Sequence, residues 1–296
     1  MYRNIEEYLS QLKKELQGSD PALVQDALSD TEDHLRSALE ESTQQAPHLA
    51  EAENLQTLLA KFGTPSEVAS AYKEIEPHVL PTLAVQQPRT SRSFWTGFFG
   101  VAVDARTWGA VLYVLLSGFT AIVFGMWALI GGAFSLFSLV LIIGIPVTGF
   151  FLFSLRGIAL MEGRIMEVLL GIRMPRKPIF LRKGLSWKEK YKALTTESHT
   201  WKVFAYLILH LPLGLVCFTV VTVLLALSIK CAIYPVWYWG LGRPLITFSQ
   251  PLYPPAWTYP LVSVAGLLMI FLTLRLARLI GKIHGRFAKF MLVRKQ

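Results

Sequence analysis

Four long apolar runs decide what this chain can fold into. They cover roughly residues 108–130, 134–155, 203–229 and 258–274. Each comes near the ~20 residues an α-helix needs to cross a bilayer. In lipid every backbone N–H and C=O must find its partner within the segment, so such runs become helices. Of the 296 residues 53% are hydrophobic and 17% charged, too apolar for an ordinary soluble domain. The expected fold class is all-α, with four membrane spans and interfacial helices.

Charge separates a second region from these spans. Residues 1–80 hold 6 Lys and Arg against 15 Asp and Glu, whereas residues 81–296 hold 23 against 5. Two domains in different surroundings follow: an acidic helical bundle at 1–80, a linker at 81–93 and a membrane domain at 94–296. The basic charges flank apolar spans, so anionic lipid headgroups of the bilayer are their expected contact rather than nucleic acid. Cys217 and Cys231 are the two cysteines. Their 14-residue separation puts them about 21 Å apart on a helix, which excludes a bridge between them. The polar N-terminus does not read as a cleavable signal peptide.

Within the bundle, Ile5, Leu9, Leu12 and Leu16 recur at helical spacing. Asp20-Pro21 predicts an N-cap with Pro at the first helical position. Val24, Leu28, Leu35 and Leu39 line a second helix, and Leu55, Leu58, Leu59 and Phe62 a third. Gly63 stops it, and Thr64-Pro65-Ser66-Glu67 predicts a capping box opening a fourth. The stretch around His34 has the acidic residue of a histidine-kinase phospho-acceptor box on the wrong side and lacks its Pro, so a phospho-acceptor role is not expected. Tyr8-Leu9, Leu12-Lys13-Lys14-Glu15-Leu16, Asp33-His34-Leu35 and the run from Phe62 to Tyr72 resemble the HAAS signalling domain of bacterial membrane proteins. The resemblance implies a regulatory module, often accompanied by a PadR-like transcription regulator, with no catalytic residues.

The membrane domain repeats itself. Thr107-Trp108 with Tyr113 returns as Thr200-Trp201 with Tyr206, 93 residues later. Arg156 and Gly163-Arg164 return as Arg278 and Gly285-Arg286, 122 residues later, which also aligns Gly144 with Gly266. The 29-residue difference is an insertion between spans three and four. Two parallel copies of a two-span unit, about 94–170 and 185–292, are the reading, related by a pseudo-two-fold axis along the membrane normal. Segments 94–108 and 185–201, with Trp95 and Trp187, are expected to lie in the interface. Arg106-Thr107-Trp108, Tyr113, Gly144-Ile145-Pro146, the Arg156–Leu170 stretch and Thr200-Trp201 resemble the bacterial "putative sensor" domain, a four-span module also found fused to kinases. The enlarged aromatic loop departs from it.

Lys and Arg set the orientation. Residues 156–202 contain 11 and the tail from 275 contains 7; the first hairpin tip contains none and the second only Lys230 and Arg243. Both termini and the middle loop are expected in the cytoplasm of a bacterial cell, with the protein in its inner membrane.

No Gly-rich phosphate loop, HExxH, GxSxG or EF-hand loop occurs, so the chain is not expected to be an enzyme, and no metal or cofactor is expected. His210 lies inside span three, two residues before Pro212, and is a candidate signal-sensing group. Its alternative is a structural imidazole bonding a carbonyl freed by the Pro. Ser117 is its counterpart in the first copy. Gly144, Pro146 and Pro212 are candidate hinge or packing positions, with Pro146 read as mid-span. The inserted stretch 231–260 holds six Pro and eight Trp, Tyr or Phe. Trp237 and Trp239, with Arg243 at the rim, are candidate ligand contacts there. The chain is therefore expected to pass a membrane or external signal to a cytosolic partner through residues 1–80. An accessory or small-substrate transport subunit is the alternative, and a homo-oligomer is open to either.

Overall fold

The computed structural model of the chain describes residues 2, 4–45, 51–79, 100–140, 144–176, 187–242, 244–247, 251–252 and 255–293. Packing groups the chain into two compact units. The first comprises residues 1–85, 128–206 and 287–296, and the second 86–127 and 207–286.

The N-terminal bundle belongs to the first unit. Its helices are α1 (Ile5–Glu15), α2 (Pro21–Gln45), α3 (Glu51–Phe62) and α4 (Pro65–Val79). The starts of α1, α2 and α4 have local causes. Asn4 accepts the Glu7 amide at 2.7 Å to cap α1, and Asp20 accepts the Ala22 amide at 2.9 Å to cap α2. At α4 the Thr64 amide donates to Glu67 Oε2 at 2.8 Å and the Glu67 amide to Thr64 Oγ1 at 3.3 Å, closing the capping box. Hydrogen bonds to the Glu67 carboxyl from the Thr64 amide first, then from its hydroxyl, hold that carboxyl below its usual range. Gly63, at φ 103°, takes the left-handed conformation that ends α3.

Leu35, Leu55, Leu59, Ile5 and Tyr8 form one core cluster, and Leu12, Leu16, Ala27, Leu28 and Ala69 a second. Tyr8 is fully buried and donates to the Gly63 carbonyl at 3.0 Å. Burial first, then the nearby Tyr2 and Glu67, push its hydroxyl up to about 12. His34 is exposed, its ring 5.3 Å from that of Phe62.

Four helices have the length and apolarity to cross a membrane. They are α5 (Ala105–Ser138), α6 (Gly144–Leu170), α8 (Ser198–Ala232) and α10 (Tyr259–Leu292). Short α7 (Trp187–Thr196) precedes α8. Phe119, Phe150, Val216 and Leu272 stay exposed on these helices, as a lipid-facing surface requires and an aqueous one disfavours. The protein is a membrane protein. Residues 94–99, with Trp95, and 185–186 lie outside the described residues; Trp187 begins α7.

The helices run longer than the apolar runs that announced them. α5 passes straight through Gly131-Gly132, where a turn was expected, and ends at Ser138. The glycines have a packing reason: a Cβ on Gly131 would meet the Phe151 ring at 2.6 Å, and one on Gly132 the Phe204 ring at 3.1 Å. The turn comes seven residues later, still without Lys or Arg. Gly144 and Pro146 consequently sit in the first turn of α6 and not in mid-span. There the Pro removes no intrahelical hydrogen bond and imposes no kink. Pro212 does lie inside α8, which continues past it to Ala232.

The insertion in the second hairpin is folded. Helix α9 (Tyr234–Leu241) carries Pro235 in its first turn and ends at Gly242, whose φ is 60°. A two-residue antiparallel ribbon follows, β1 (Ile246–Thr247) against β2 (Pro251–Leu252). Tyr234, Leu245 and Tyr259 form a small buried core, with Tyr238 packed on it. The ring pairs Tyr234–Tyr259 and Tyr238–Tyr259 lie at 5.4 and 5.5 Å.

Candidate functional site

Corresponding positions of the two copies make corresponding bonds. α5 and α8 start at Ala105 and Ser198, 93 residues apart like the two tryptophans. α6 and α10 end at Leu170 and Leu292, 122 apart like the two arginines. The Trp108 indole donates to the Ala102 carbonyl at 2.7 Å, and the Trp201 indole to Thr195 at 2.9 Å, each six residues back. Trp108 and Trp201 are 54% and 53% exposed. Arg156 reaches Glu197 Oε2 and Thr200 Oγ1, both at 2.5 Å. Arg278 reaches Asp104 at 2.9 Å. Asp104 and Glu197 are themselves 93 apart. In each case the Arg of one copy grips the acid that opens the first helix of the other.

Within the second unit, α5 and α8 cross with the same exchange. A Cβ on Gly118 would meet Phe218, and one on Gly125 would meet Leu211; Gly214 abuts Ala121. Shifting by 93 turns the first contact into the second and maps the third onto itself. This is an isologous crossing, in which each surface is its own complement. It is packed with apolar side chains and glycine.

One residue beyond this apolar crossing on one side, at His210 and Ser117, the copies differ. His210 is fully buried, with one ring nitrogen 3.4 Å from Thr120 Oγ1 and Nδ1 3.0 Å from Nε2 of His284. The Tyr113 ring meets His284 edge-on at 5.5 Å. One imidazole of the pair must donate and the other accept, so at least one N–H is shared between them. Ser117, the counterpart of His210, is also buried, but its hydroxyl donates to the Val114 carbonyl of its own helix at 2.8 Å. Thr120, one turn on, is the hydroxyl that meets the His210 ring. His284 was missed in the sequence because it lies ten residues past the fourth apolar run. Its counterpart under the 122-residue shift is Glu162, also fully buried and within electrostatic reach of Tyr206. Among the described residues no group of three or more His, Cys, Asp or Glu could hold a metal.

Of the remaining sequence candidates, Trp239 on α9 is exposed and Trp237 lies on the same helix. Arg243 lies outside the described residues. Gly144 closes against the Ser138 backbone and Gly266 against that of Ala232, so each aligned glycine sits where the second helix of its copy passes the end of the first.

A second cluster joins the bundle to the chain just past α6, inside the first unit. Gly171, at φ 67°, ends α6 and turns the chain back. Met174 then packs beside Gly163 of α6, 3.4 Å from where a Cβ would lie. This places Arg173 and Arg176 over Asp26 of α2. Arg173 Nη2 lies 3.1 Å from Asp26 Oδ2, and the Arg176 amide donates to Asp26 Oδ1 at 2.7 Å. Glu167 Oε1, on α6, accepts from Arg176 Nη2 at 2.8 Å and stands 3.8 Å from Arg173 Nη1. Asp26, Glu167 and Arg173 are all buried. Lys289 of α10 pairs with Asp20 at the start of α2. Buried charges on this scale persist only because they are paired.

Comparison with known families matches these two regions. A family model described as "Putative sensor" matches residues 113–292, and one described as HAAS matches residues 7–71. No curated protein matches the chain, and no solved structure does.

Proposed function

Because the chain belongs to the "Putative sensor" family, with a HAAS domain ahead of its membrane helices, we propose that it reads a condition at the outer face of a bacterial inner membrane and reports it to a cytosolic regulator. The two termini and the residues 171–197 face the cytoplasm in this reading, and the α9 segment faces out. The regulator is a transcription factor of the PadR-like kind, docked on the acidic bundle. The bundle itself does not touch nucleic acid, since its net charge repels phosphate. The chain catalyses no reaction.

The observation that carries the reading is the buried cluster of Asp26, Arg173, Arg176 and Glu167. It ties a spanning helix to the bundle through paired buried charges, so movement of α6 is felt at α2. The apolar crossing of α5 and α8 favours sensing over transport, which needs a polar path. The folded aromatic core of the outer segment, with Trp239 and Trp257 outward, supplies a surface for an apolar ligand or for lipid.

Transcript profiles test this. Cells carrying Leu35→Asp, which is expected to unfold the bundle by placing an unpaired charge in its core, and cells carrying a Gly-Ser turn in place of residues 234–260 are expected to shift one overlapping set of transcripts. Profiles identical to those of the unmodified chain in both strains would refute the reading.

A further inference from the structure

Residues 171–176 cross the bundle as a peptide ligand would. The stretch Gly171-Ile172-Arg173-Met174-Pro175-Arg176 has no regular secondary structure. It engages both oxygens of Asp26, one through a guanidinium and one through a backbone amide. Arg173 and Met174 are buried. A segment without regular structure that fills a carboxylate in this way is the form in which a basic segment of another protein would also bind.

We propose that Asp26 is the docking point for a basic, arginine-containing segment of the cytosolic partner, and that Arg173 and Arg176 occupy it as a tethered competitor in the resting state. The inference rests on the reading that the bundle is the output of the protein, and it specifies how that output is masked. Glu167 makes the exchange feasible. It sits on α6, already accepts from Arg176 and stands next to Arg173. When the Arg173 guanidinium and the Arg176 amide let go of Asp26, Arg173 keeps Glu167, which already holds the Arg176 guanidinium, so neither is left as an uncompensated buried charge. A shift of α6 moves Glu167, and with it the competitor. The partner's segment is held off by effective concentration as long as the tether stays docked. An acidic docking point selects a basic protein segment and repels both nucleic acid and anionic lipid.

The full chain in nanodiscs of zwitterionic lipid tests this with a labelled peptide Gly-Ile-Arg-Met-Pro-Arg, read by fluorescence anisotropy. Arg173→Gln with Arg176→Gln is expected to bind the peptide at least tenfold more tightly than the unmodified chain. Adding Asp26→Asn is expected to remove that gain. A peptide with both Arg replaced by Gln is expected not to bind. Arg176→Gln alone, at a partly exposed position, keeps the amide bond to Asp26 but removes the tether's anchor on Glu167; it guards against misfolding and is expected to gain about threefold with an unchanged melting curve. No gain in either variant, or a gain that survives Asp26→Asn, overturns the proposal. If Leu35→Asp still changes transcription while the peptide shows no gain, the bundle remains the output and the masking proposal alone falls.

Discussion

Arg156 and Arg278 occupy the same place in their two copies and make the same kind of bond, yet their surroundings differ. The Arg156 side chain is 6% exposed and also holds Thr200; that of Arg278 is 29% exposed and holds Asp104. The indole bonds of Trp108 and Trp201 match, as do the glycines at 144 and 266. The pairs His210 and Ser117, and His284 and Glu162, do not. The comparison separates two kinds of position. Those that start helices and let backbones pass are kept in both copies, because each copy must solve the same problem of capping and packing. The buried polar positions have diverged: one copy carries His210 and His284, the other Ser117 and Glu162.

The largest effect that could break this comparison is at the arginines. Arg156→Met leaves Glu197 and Thr200 facing a buried methylene chain, and is expected to cost about 3 kcal/mol. Arg278→Met removes a half-exposed pair and is expected to cost less than about 1 kcal/mol. Thermal unfolding in detergent measures both, and equal losses would mean that the two pairs are energetically alike. Next come the glycines. Gly144→Ala and Gly266→Ala each drive a Cβ into backbone and are expected to lose about 1–3 kcal/mol, by similar amounts. A harmless substitution at either position would show that its copy does not need the close approach.

The divergent positions sharpen the contrast. His210→Ala strips His284 of its partner inside the protein, at about 1–3 kcal/mol. Ser117→Ala removes only a bond to its own helix and is expected to change stability by less than about 0.5 kcal/mol. The smallest effect is confined to the bundle. The Tyr8 hydroxyl, pushed up to about 12, keeps its proton in the folded state after the unfolded chain has lost it. Its contribution is therefore whole below about pH 10 and falls as pH rises towards 12. Tyr8→Phe is expected to flatten that part of the alkaline unfolding curve, and an unchanged curve would place the loss elsewhere.

Much of the architecture was legible in the sequence because it rests on local chemistry. The Thr64–Glu67 capping box, the Asp20 cap and the matched Trp and Arg landmarks all use short-range rules, and the helix boundaries at 105 and 198 follow the Trp spacing. Gly131-Gly132 misled because glycine in a sequence reads as a turn; the Phe151 and Phe204 rings that require it come from other segments. His284 was hidden for a related reason. The apolar run stops near residue 274, but α10 continues for nearly five turns with a mixed face that hydropathy does not mark. The alignment of Arg156 with Arg278 already set Glu162 against His284, and two ionisable groups at one aligned position were a usable signal. The Asp26 cluster joins residues nearly 150 apart, and nothing in the local pattern of either segment points to the other.

Sidedness tests the account most directly, because a protein that reads one face of the membrane and reports at the other must expose them to different compartments. In a chain with Cys217→Ala and Cys231→Ala, single cysteines at Lys61→Cys, Lys192→Cys and Gly240→Cys replace exposed residues. An impermeant maleimide added to intact cells is expected to label Gly240→Cys only. Lys61→Cys and Lys192→Cys are expected to react only after the membrane is opened. Labelling of Lys192→Cys from outside, or protection of Gly240→Cys in intact cells, would contradict the account.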